Sequence, residues 1–305
     1  MEHAVITKAQ LKTKSEELKI PFPNLLAGYL LEELMYLISE SEYSKCLWLK
    51  NDRIFGIEQY RKKENSLTLD FAYVTSEKMM KEGKMCPGQK LSLKLAYVIL
   101  LQFLQKEKTP KVKWKGKAQL RENVAEFDIT GEFEEMTVPF RVIITEIPEE
   151  KNCLPEQKQF SPFMAGEEEI SYLEYPGELF LAEQLTQVLK QMELIPDMEI
   201  YLRIYRILSE TPMDGRHVKA TLASFCEKEH IPLEEERMKE LISYRNYGYM
   251  KKRWEKYLRH CGKKEPGWHE VVDKLDKFLS PIWQAVCKDE VFFGDWMPDL
   301  ERFLD

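Results

Sequence analysis

The sequence has few of the residues that usually bind structural metals. It contains five histidines and six cysteines in 305 residues, with no Cys-x-x-Cys pair. Structural zinc sites need closely spaced ligands of these types, so we predict no structural zinc. Secreted chains use cysteines as disulfide frameworks, whereas the scattered positions here favour reduced thiols. The cysteines are Cys46, Cys86, Cys153, Cys226, Cys261 and Cys287.

Long apolar runs are also missing. The longest, "LSLKLAYVILLQFL" at 91–104, is interrupted by Lys94. It falls short of the ~20 apolar residues that a membrane-spanning helix needs. The opening "MEHAVITKAQL" has no hydrophobic signal core. We therefore expect no membrane partner and a cytoplasmic location.

An excess of positive charge is absent as well. The net charge is −7, so the molecule as a whole is not a basic nucleic-acid binder. Any such site must come from a local patch. The hydrophobic fraction of 44% and the aromatic fraction of 11% are typical of a globular protein with a sizeable core.

Hydrophobic periodicity divides the chain into three parts: N-terminal helices over 1–42, a strand-rich domain over 43–175 and a helical domain over 176–305. Thr7 and Gln10 form a capping-box pattern, and Asn24 is the expected start of a second helix. Strands followed by helices indicate an α+β fold with a helical bundle attached. The predicted strands are 45–50, 53–61, 66–73, 111–120, 124–133 and 138–147, with one helix at 90–105 and a loop at 148–170. The predicted helices of the last part are 177–194, 197–210, 215–228, 232–245, 247–260 and 267–286.

The strand "SLTLDFAY", 66–73, carries one carboxylate on its polar face. Asp70 follows Thr68 at the two-residue spacing that places both on one side of a strand. Two-metal phosphoryl-transfer enzymes often carry Asp-x-Asp at this spacing. Polymerase-β-type nucleotidyltransferases add a phosphate-binding turn after a first strand and a third carboxylate on a neighbouring strand. The segments "LWLKNDRIFG", 47–56, and "PFRVIITEI", which contains Glu146, stand where these parts would be.

Together these segments resemble the AbiEii/AbiGii nucleotidyltransferase toxins of bacterial abortive-infection systems. The N-terminal helices, "SLTLDF", "YPGELFLAEQL" at 175–185 and the C-terminal "KRWEKYLRH" and "VVDKLDKFLSPIW" follow the family's order and spacing. The resemblance implies a polymerase-β-like mixed sheet followed by a helical bundle. It also implies catalysis with Mg²⁺ and an NTP if the chain is active. A cognate antitoxin protein and tRNA or another RNA are the implied partners.

The departures from the family pattern fall on the functional motifs. The family's two glycines after Lys50 are Asn51 and Asp52, and Asp52 would bring negative charge to the triphosphate. The first catalytic aspartate is Thr68, while Asp70 remains and Glu146 is the implied third carboxylate. After Ala-Glu the family has a nucleotide-facing lysine, and here Glu183 is followed by Gln184.

These substitutions favour a protein that has lost ordinary catalysis and acts through binding. The implied catalytic residues are Asp70, Glu146 and Thr68, with the metal on Asp70 and Glu146. The implied nucleotide-binding residues are Lys50, Asn51, Asp52, Arg53, Glu183 and Gln184. The alternative is an active Mg²⁺-dependent enzyme that modifies tRNA or protein. A helical adaptor without a nucleotide pocket is a third hypothesis. Asp70, Glu146 and the turn charges are each also compatible with ordinary solvated surface positions.

Two basic stretches have both a structural and a binding interpretation. In "KVKWKGKAQLR", four lysines recur with period two, which is typical of a protected edge strand and also fits a phosphate-contacting ribbon. In "RNYGYMKKRWEKYLRH", tyrosines and a tryptophan alternate with cations. Core packing explains Trp254 and Tyr257, and a stacking surface for RNA is the alternative.

Overall fold

The computed structural model describes residues 6–50, 54–61, 67–75, 90–105, 112–148, 154–164, 168–262 and 264–304. The chain forms two compact units. The first comprises residues 1–149 and 155–175, and the second comprises residues 150–154 and 176–305. Asn51, Asp52 and Arg53 lie outside the described residues.

A seven-stranded mixed sheet organises the first unit. Its order is β3-β4-β5-β2-β1-β7-β6, with parallel pairing between β2 and β5 and between β1 and β7. The α+β fold class predicted from the sequence is therefore confirmed. The strands are β1 (Leu47–Leu49), β2 (Thr68–Thr75), β3 (Val112–Arg121), β4 (Val124–Phe133), β5 (Met136–Pro148), β6 (Glu156–Phe160) and β7 (Ile170–Glu174).

Helices cover one face of this sheet. They are α1 (Lys8–Leu18), α2 (Phe22–Ser39), α3 (Ile57–Tyr60) and α4 (Leu93–Gln105). Both halves of the predicted capping box of Thr7 and Gln10 are present before α1. The second helix begins at Phe22 rather than Asn24, because Pro21 supplies a fixed φ just before the first turn. The core between helices and sheet includes Leu30, Leu34, Phe71, Ile99, Phe103, Phe127 and Ile144.

The buried carboxylate of Glu32 connects three parts of this unit. Tyr60 donates its hydroxyl hydrogen to Glu32 Oε1 at 2.6 Å, and the Phe163 N–H donates to Oε2 at 3.2 Å. Burial first, and the Glu32 charge second, raise the pKa of Tyr60 well above its usual value. A buried charge is tolerated only where such donors replace water, so these bonds tie α2, α3 and the segment after β6 together.

Two sequence predictions were wrong in this unit. Residues 53–61 were predicted to form a strand, but Ile57–Tyr60 is a helical turn. Gly56 has φ +99, which glycine adopts readily and which is not the backbone conformation of a β-strand. The predicted loop at 148–170 contains β6, an edge strand paired only with β7. Its sequence "EQKQF" is almost wholly exposed, so it carries no hydrophobic alternation.

Six α-helices make up most of the described part of the second unit, and they agree with the six segments predicted from periodicity except at their ends. They are α5 (Gly177–Gln191), α6 (Glu199–Glu210), α7 (Gly215–Lys228), α8 (Glu235–Ser243), α9 (Gly248–His260) and α10 (Trp268–Cys287), with only 3₁₀ turns as further helix among its described residues. A small sheet of β8 (Met213–Asp214), β9 (Asp295–Met297) and β10 (Arg302–Leu304) closes the unit.

Four buried tryptophans bond to the backbone of the second unit. Each indole N–H donates to a backbone carbonyl at 2.8 to 3.0 Å. The pairs are Trp254 with Pro266, Trp268 with Tyr244, Trp283 with Glu234 and Trp296 with Leu208. Each ring therefore fills the core while its one polar atom is satisfied.

The expectation of six reduced thiols is wrong for Cys46, which is disulfide-bonded. Cys226, Cys261 and Cys287 are free. Sequence spacing does not show which cysteines come within bridging distance, since the bond depends on how the fold places their Cα atoms. Among the described residues, no helix has the length and apolar character to cross a membrane.

Gly28 provides a test of the packing between α2 and α3. A Cβ at this position would lie 2.7 Å from the ring of Tyr60, whose hydroxyl bonds Glu32. We expect Gly28→Ala to lower the free energy of unfolding by about 1–3 kcal/mol through overpacking. This loss should exceed the ~1 kcal/mol gain in helix propensity. Urea unfolding measures the difference.

The matched control is Gly248→Ala in the first turn of α9. A Cβ there meets nothing within 4 Å, so the same substitution should be neutral or slightly stabilising. Equal stability of the two variants would contradict the proposed packing role of Gly28.

Candidate functional site

The two faces of the sheet differ in chemistry. Along β2 and β5 the register pairs Thr68 with Arg141, Asp70 with Ile143 and Ala72 with Thr145. Paired residues in neighbouring strands point to the same side, and successive residues point to opposite sides. We call the side that carries these six residues the Asp70 face. The opposite side carries Leu69, Phe71, Tyr73, Val142 and Ile144, all buried in the helix-covered core.

Lys50 lies beside Asp70 on this face. It follows β1 by one residue, and its N–H donates to the Asp70 carbonyl at 2.7 Å. Residues opposite one another on antiparallel strands have Cβ atoms about 4.5–5.5 Å apart, so the two side chains leave the sheet from neighbouring points. Lys50 Nζ also stands 4.7 Å from the centre of the Tyr175 ring. Lys50, Thr68 and Asp70 are all half-buried.

Glu146 lies on the other side of the sheet. It pairs with Tyr73 in the β2–β5 register, three positions along β5 from the partner of Asp70. Burial first, and then the charges of Tyr43 and Glu146, raise the pKa of Tyr73 to about 12. Glu146 Oε2 accepts a hydrogen bond from the Leu91 N–H at 3.1 Å, just before α4 begins. The predicted metal site shared by Asp70 and Glu146 does not fit this register.

The Asp70 face of the two central strands carries a single carboxylate. In the described residues of β2 and β5, the side chains on this face besides Asp70 are Thr68, Ala72, Val74, Thr137, Pro139, Arg141, Ile143, Thr145 and Ile147. None of these has a negative charge. In addition, the described residues contain no group of three or more His, Cys, Asp or Glu side chains that could hold a metal ion. A site that needs three clustered carboxylates is therefore not assembled from β2 and β5.

Beyond β5 the same face is a ladder of paired charges. Arg141 forms an ion pair with Glu126. Lys115 bonds Glu132 at 2.6 Å, and Lys117 bonds Asp128 at 3.2 Å. Both lysines lie on β3, which is the edge of the sheet. The pairing favours the protected-edge interpretation of this basic stretch, because the charges are offset within the sheet. Lys111 lies outside the described residues.

Glu183 and Gln184 belong to α5 of the second unit. Glu183 is half-buried, whereas Gln184 is only 5% exposed. Gln184 Oε1 is a buried oxygen without a hydrogen-bond partner. An uncharged amide at this place supplies no positive charge for a phosphate. The nucleotide-binding roles of these two residues stay predictions.

Trp48 was not identified from the sequence as part of the site. It lies two residues before Lys50, opposite Ala72, and therefore on the Asp70 face. Its ring contacts Tyr175, with centroids 6.3 Å apart. Its Nε1 is buried and has no hydrogen-bond partner, unlike the four tryptophan indoles that bond to the backbone of the second unit. Side chains alternate along a strand, so Trp48, two positions before Lys50, shares its face. This spacing could have identified Trp48 from the sequence.

Comparison with known proteins gives weak likenesses only. No family model matches the chain, and no curated protein matches it. The crystal structure of JHP933 from Helicobacter pylori is 12% identical, with a TM-score of 0.42 over 88% of this chain and 94% of that chain. A structure described as a candidate nucleotidyltransferase from H. pylori is 12% identical, with a TM-score of 0.39 over 86% and 95%. Likenesses at this level carry no argument about this chain, whose fold class follows from its own sheet and helices.

The placement of Glu146 can be tested by two substitutions. Glu146→Ala removes the acceptor of the Leu91 N–H and should cost about 1–3 kcal/mol of unfolding free energy. Glu146→Gln keeps an acceptor oxygen, so it should cost clearly less. Urea unfolding distinguishes the two variants. If both lose the same stability, the bond to Leu91 does not account for the position of Glu146.

Proposed function

We propose that this chain is a nucleotidyltransferase-like protein, related to the abortive-infection toxins, that has lost ordinary catalysis and acts by binding. The observation that carries the proposal is the single carboxylate on the Asp70 face of β2 and β5. Thr68 stands at the first ligand position, and Ile143 stands opposite Asp70 on the parallel strand. The two strands that would carry such a site are paired, but uncharged residues stand at the positions beside Asp70.

The chemistry of phosphoryl transfer explains why this loss matters. Two metal ions must neutralise both the attacking and the leaving oxygen, and clustered carboxylates hold them. Mg²⁺ prefers charged oxygen ligands in near-octahedral geometry. A threonine hydroxyl supplies no charge, and Glu146 is on the opposite face. Asp70 would be the remaining residue for a metal, with Lys50 beside it to neutralise a phosphate or to weaken metal binding.

Lys50 is the observation that favours the alternative function. An ammonium group beside Asp70 could accept a triphosphate in an active enzyme that transfers a nucleotide to tRNA or protein. In the proposal favoured here, the family's cognate antitoxin or an RNA in the cytoplasm is instead a binding partner. Nucleotide transfer distinguishes the two functions.

The first experiment titrates the protein with each of the four NTPs in the presence of Mg²⁺. We expect no sub-micromolar binding by isothermal titration calorimetry, and no incorporation of labelled nucleotide into tRNA or protein. The reason is that the described residues of β2 and β5 present no second carboxylate on the Asp70 face to hold the metal–triphosphate complex. Sub-micromolar binding of any NTP, or label incorporation that Asp70→Asn abolishes, would establish the active alternative.

The second experiment restores carboxylates to the Asp70 face. Thr68→Asp places a second carboxylate about 6.6 Å along the strand from Asp70, and Thr68→Asp with Ile143→Asp adds a third opposite it. Without metal we expect a loss of roughly 0.2–1 kcal/mol for each like-charge pair. With Mg²⁺ or Mn²⁺, both variants should gain more thermal stability than the natural protein, since a metal that binds only the folded state stabilises it.

Thr137→Asp is the matched control for this experiment. It makes the same substitution on the same face of the sheet, at an exposed position of β5 opposite Glu132, whose carboxylate is already paired with Lys115. Its metal response should equal that of the natural protein. If Thr68→Asp responds no more than Thr137→Asp, the interpretation of β2 as a former metal strand must be dropped.

A further inference from the structure

One side of α9 carries an uninterrupted row of exposed side chains. Tyr249, Lys252, Lys256 and Arg259 follow the spacing i, i+3, i+7 and i+10, which places them on one stripe of the helix. All four are exposed. The opposite stripe, Met250, Trp254 and Leu258, is buried in the core of the second unit. At 1.5 Å per residue the exposed row is about 15 Å long.

Aromatic rings continue this row beyond the start of the helix. Tyr247 and Tyr249 are 40% and 53% exposed, and their ring centroids are 5.8 Å apart. Tyr247 in turn contacts the buried Tyr244, with centroids 6.0 Å apart. Large aromatic side chains exposed next to one another are unusual on a surface that serves only solubility. The rings of Tyr244, Tyr247 and Tyr249 therefore form a platform, which the buried ring of Tyr244 anchors in the core.

Arg253 fixes the platform to the body of the unit. Its guanidinium donates to the carbonyl oxygens of Glu193 at 3.0 Å and Pro196 at 3.3 Å, and also to that of Ile195. The same group stands 5.5 Å from the centre of the Tyr249 ring. Because three carbonyls hold the guanidinium in place, the cation–π contact favours one orientation of the Tyr249 ring.

The two lysines of the row differ from Arg259, whose Nε donates to the Glu255 carbonyl at 3.3 Å. Lys252 and Lys256 have no carboxylate within 4.0 Å among the described residues, in contrast to the paired lysines of β3. Glu255 is the only acidic residue of α9, and it lies to one side of the row. The Glu193 carboxylate is near the Tyr247 hydroxyl, where its charge raises the pKa of that group. Two lysines are thus available to an anionic partner.

We propose that the row Tyr247, Tyr249, Lys252, Lys256 and Arg259 is a binding surface for single-stranded nucleic acid. Unpaired bases stack on exposed aromatic rings, and the phosphates that follow them along the strand meet a track of cations. A duplex keeps its bases stacked inside and would use only the cations. An acidic protein or an anionic lipid surface also attracts cations, but neither offers a succession of planar bases to stack on two adjacent rings. This surface lies in the second unit and does not depend on whether the Asp70 face binds a nucleotide.

The test measures fluorescence anisotropy of labelled 20-nucleotide single-stranded RNA and DNA with the whole protein at several salt concentrations. Tyr247→Ala with Tyr249→Ala should raise Kd about tenfold or more, because base stacking is lost. Tyr247→Phe with Tyr249→Phe keeps both rings and should bind like the natural protein. Lys252→Gln with Lys256→Gln should reduce the slope of log K against log salt by about 1.4, since each phosphate contact contributes ~0.7.

Lys8→Gln with Lys12→Gln is the matched control. These lysines are also four residues apart on a helix, but they lie in α1 of the first unit. This variant should keep the affinity and the salt slope. If the alanine variant is unstable to heat, Tyr247→Leu with Tyr249→Leu makes the same test with more apolar bulk retained.

Several results would overturn the proposal. These are no binding at low salt, equal affinity for duplex and single strand, or unchanged affinity in both tyrosine variants. If only the lysine variant loses binding, the contact is purely electrostatic and the stacking role of the tyrosines is wrong. Binding of anionic lipid vesicles or polyglutamate, with none of the oligonucleotides, would assign the surface to another class of partner. The nucleotide titrations of the Asp70 face are separate measurements, so failure of one proposal is distinguishable from failure of the other.

Discussion

The parallel pairing of β2 with β5 runs through eight residues without a bulge, and the chemistry of the first unit depends on it. Because neighbours in this register share a face, the pairing decides that Asp70 stands opposite Ile143 while Glu146 stands opposite Tyr73. A shift by one residue would exchange the faces of every side chain on β5. It would place Val142, Ile144 and Glu146 on the Asp70 face and move the apolar pair out of the core. The hydrophobic residues of β5 thus hold Glu146 away from Asp70, since their burial is worth about 1.5–3 kcal/mol for each side chain.

The whole sheet has one apolar face and one charged face, as β2 and β5 do. One face is apolar and covered by α2 and α4, and the other carries Lys50, Asp70 and the paired charges of β3, β4 and β5. Charges on the second face meet partners one strand away, so little net field develops over that part of the sheet. The α9 row of the second unit differs in this respect, because Lys252 and Lys256 lack ion-pair partners among the described residues. Unpaired cations and exposed rings indicate a surface made for an external partner more strongly than a count of charges does.

Sequence reasoning succeeded where periodicity is strong and local. The helices of the second unit and the alternating strands β3, β4 and β5 were predicted within a few residues, because each buries one regular stripe. It failed at α3, where Gly56 takes a positive φ just before a helical turn, and at β6, whose polar edge position leaves no hydrophobic pattern. The site was predicted only in part. The sequence showed that Thr68 and Asp70 share a face, but the face of Glu146 depends on the register between β2 and β5, in which Asp70 pairs with Ile143 far along the chain. The disulfide of Cys46 is likewise a property of tertiary placement.

The uneven distribution of tryptophan has a spectroscopic consequence. Four of the six indoles, those of Trp254, Trp268, Trp283 and Trp296, lie in the second unit, and all four are buried with their N–H groups bonded to backbone carbonyls. The first unit contributes only Trp48 and Trp114. Intrinsic fluorescence therefore reports mainly on the helical unit, whereas the β-sheet signal of circular dichroism reports on the other. Recording both probes along one denaturation curve gives each unit its own optical signature, and a difference between the two midpoints measures how independently the units unfold.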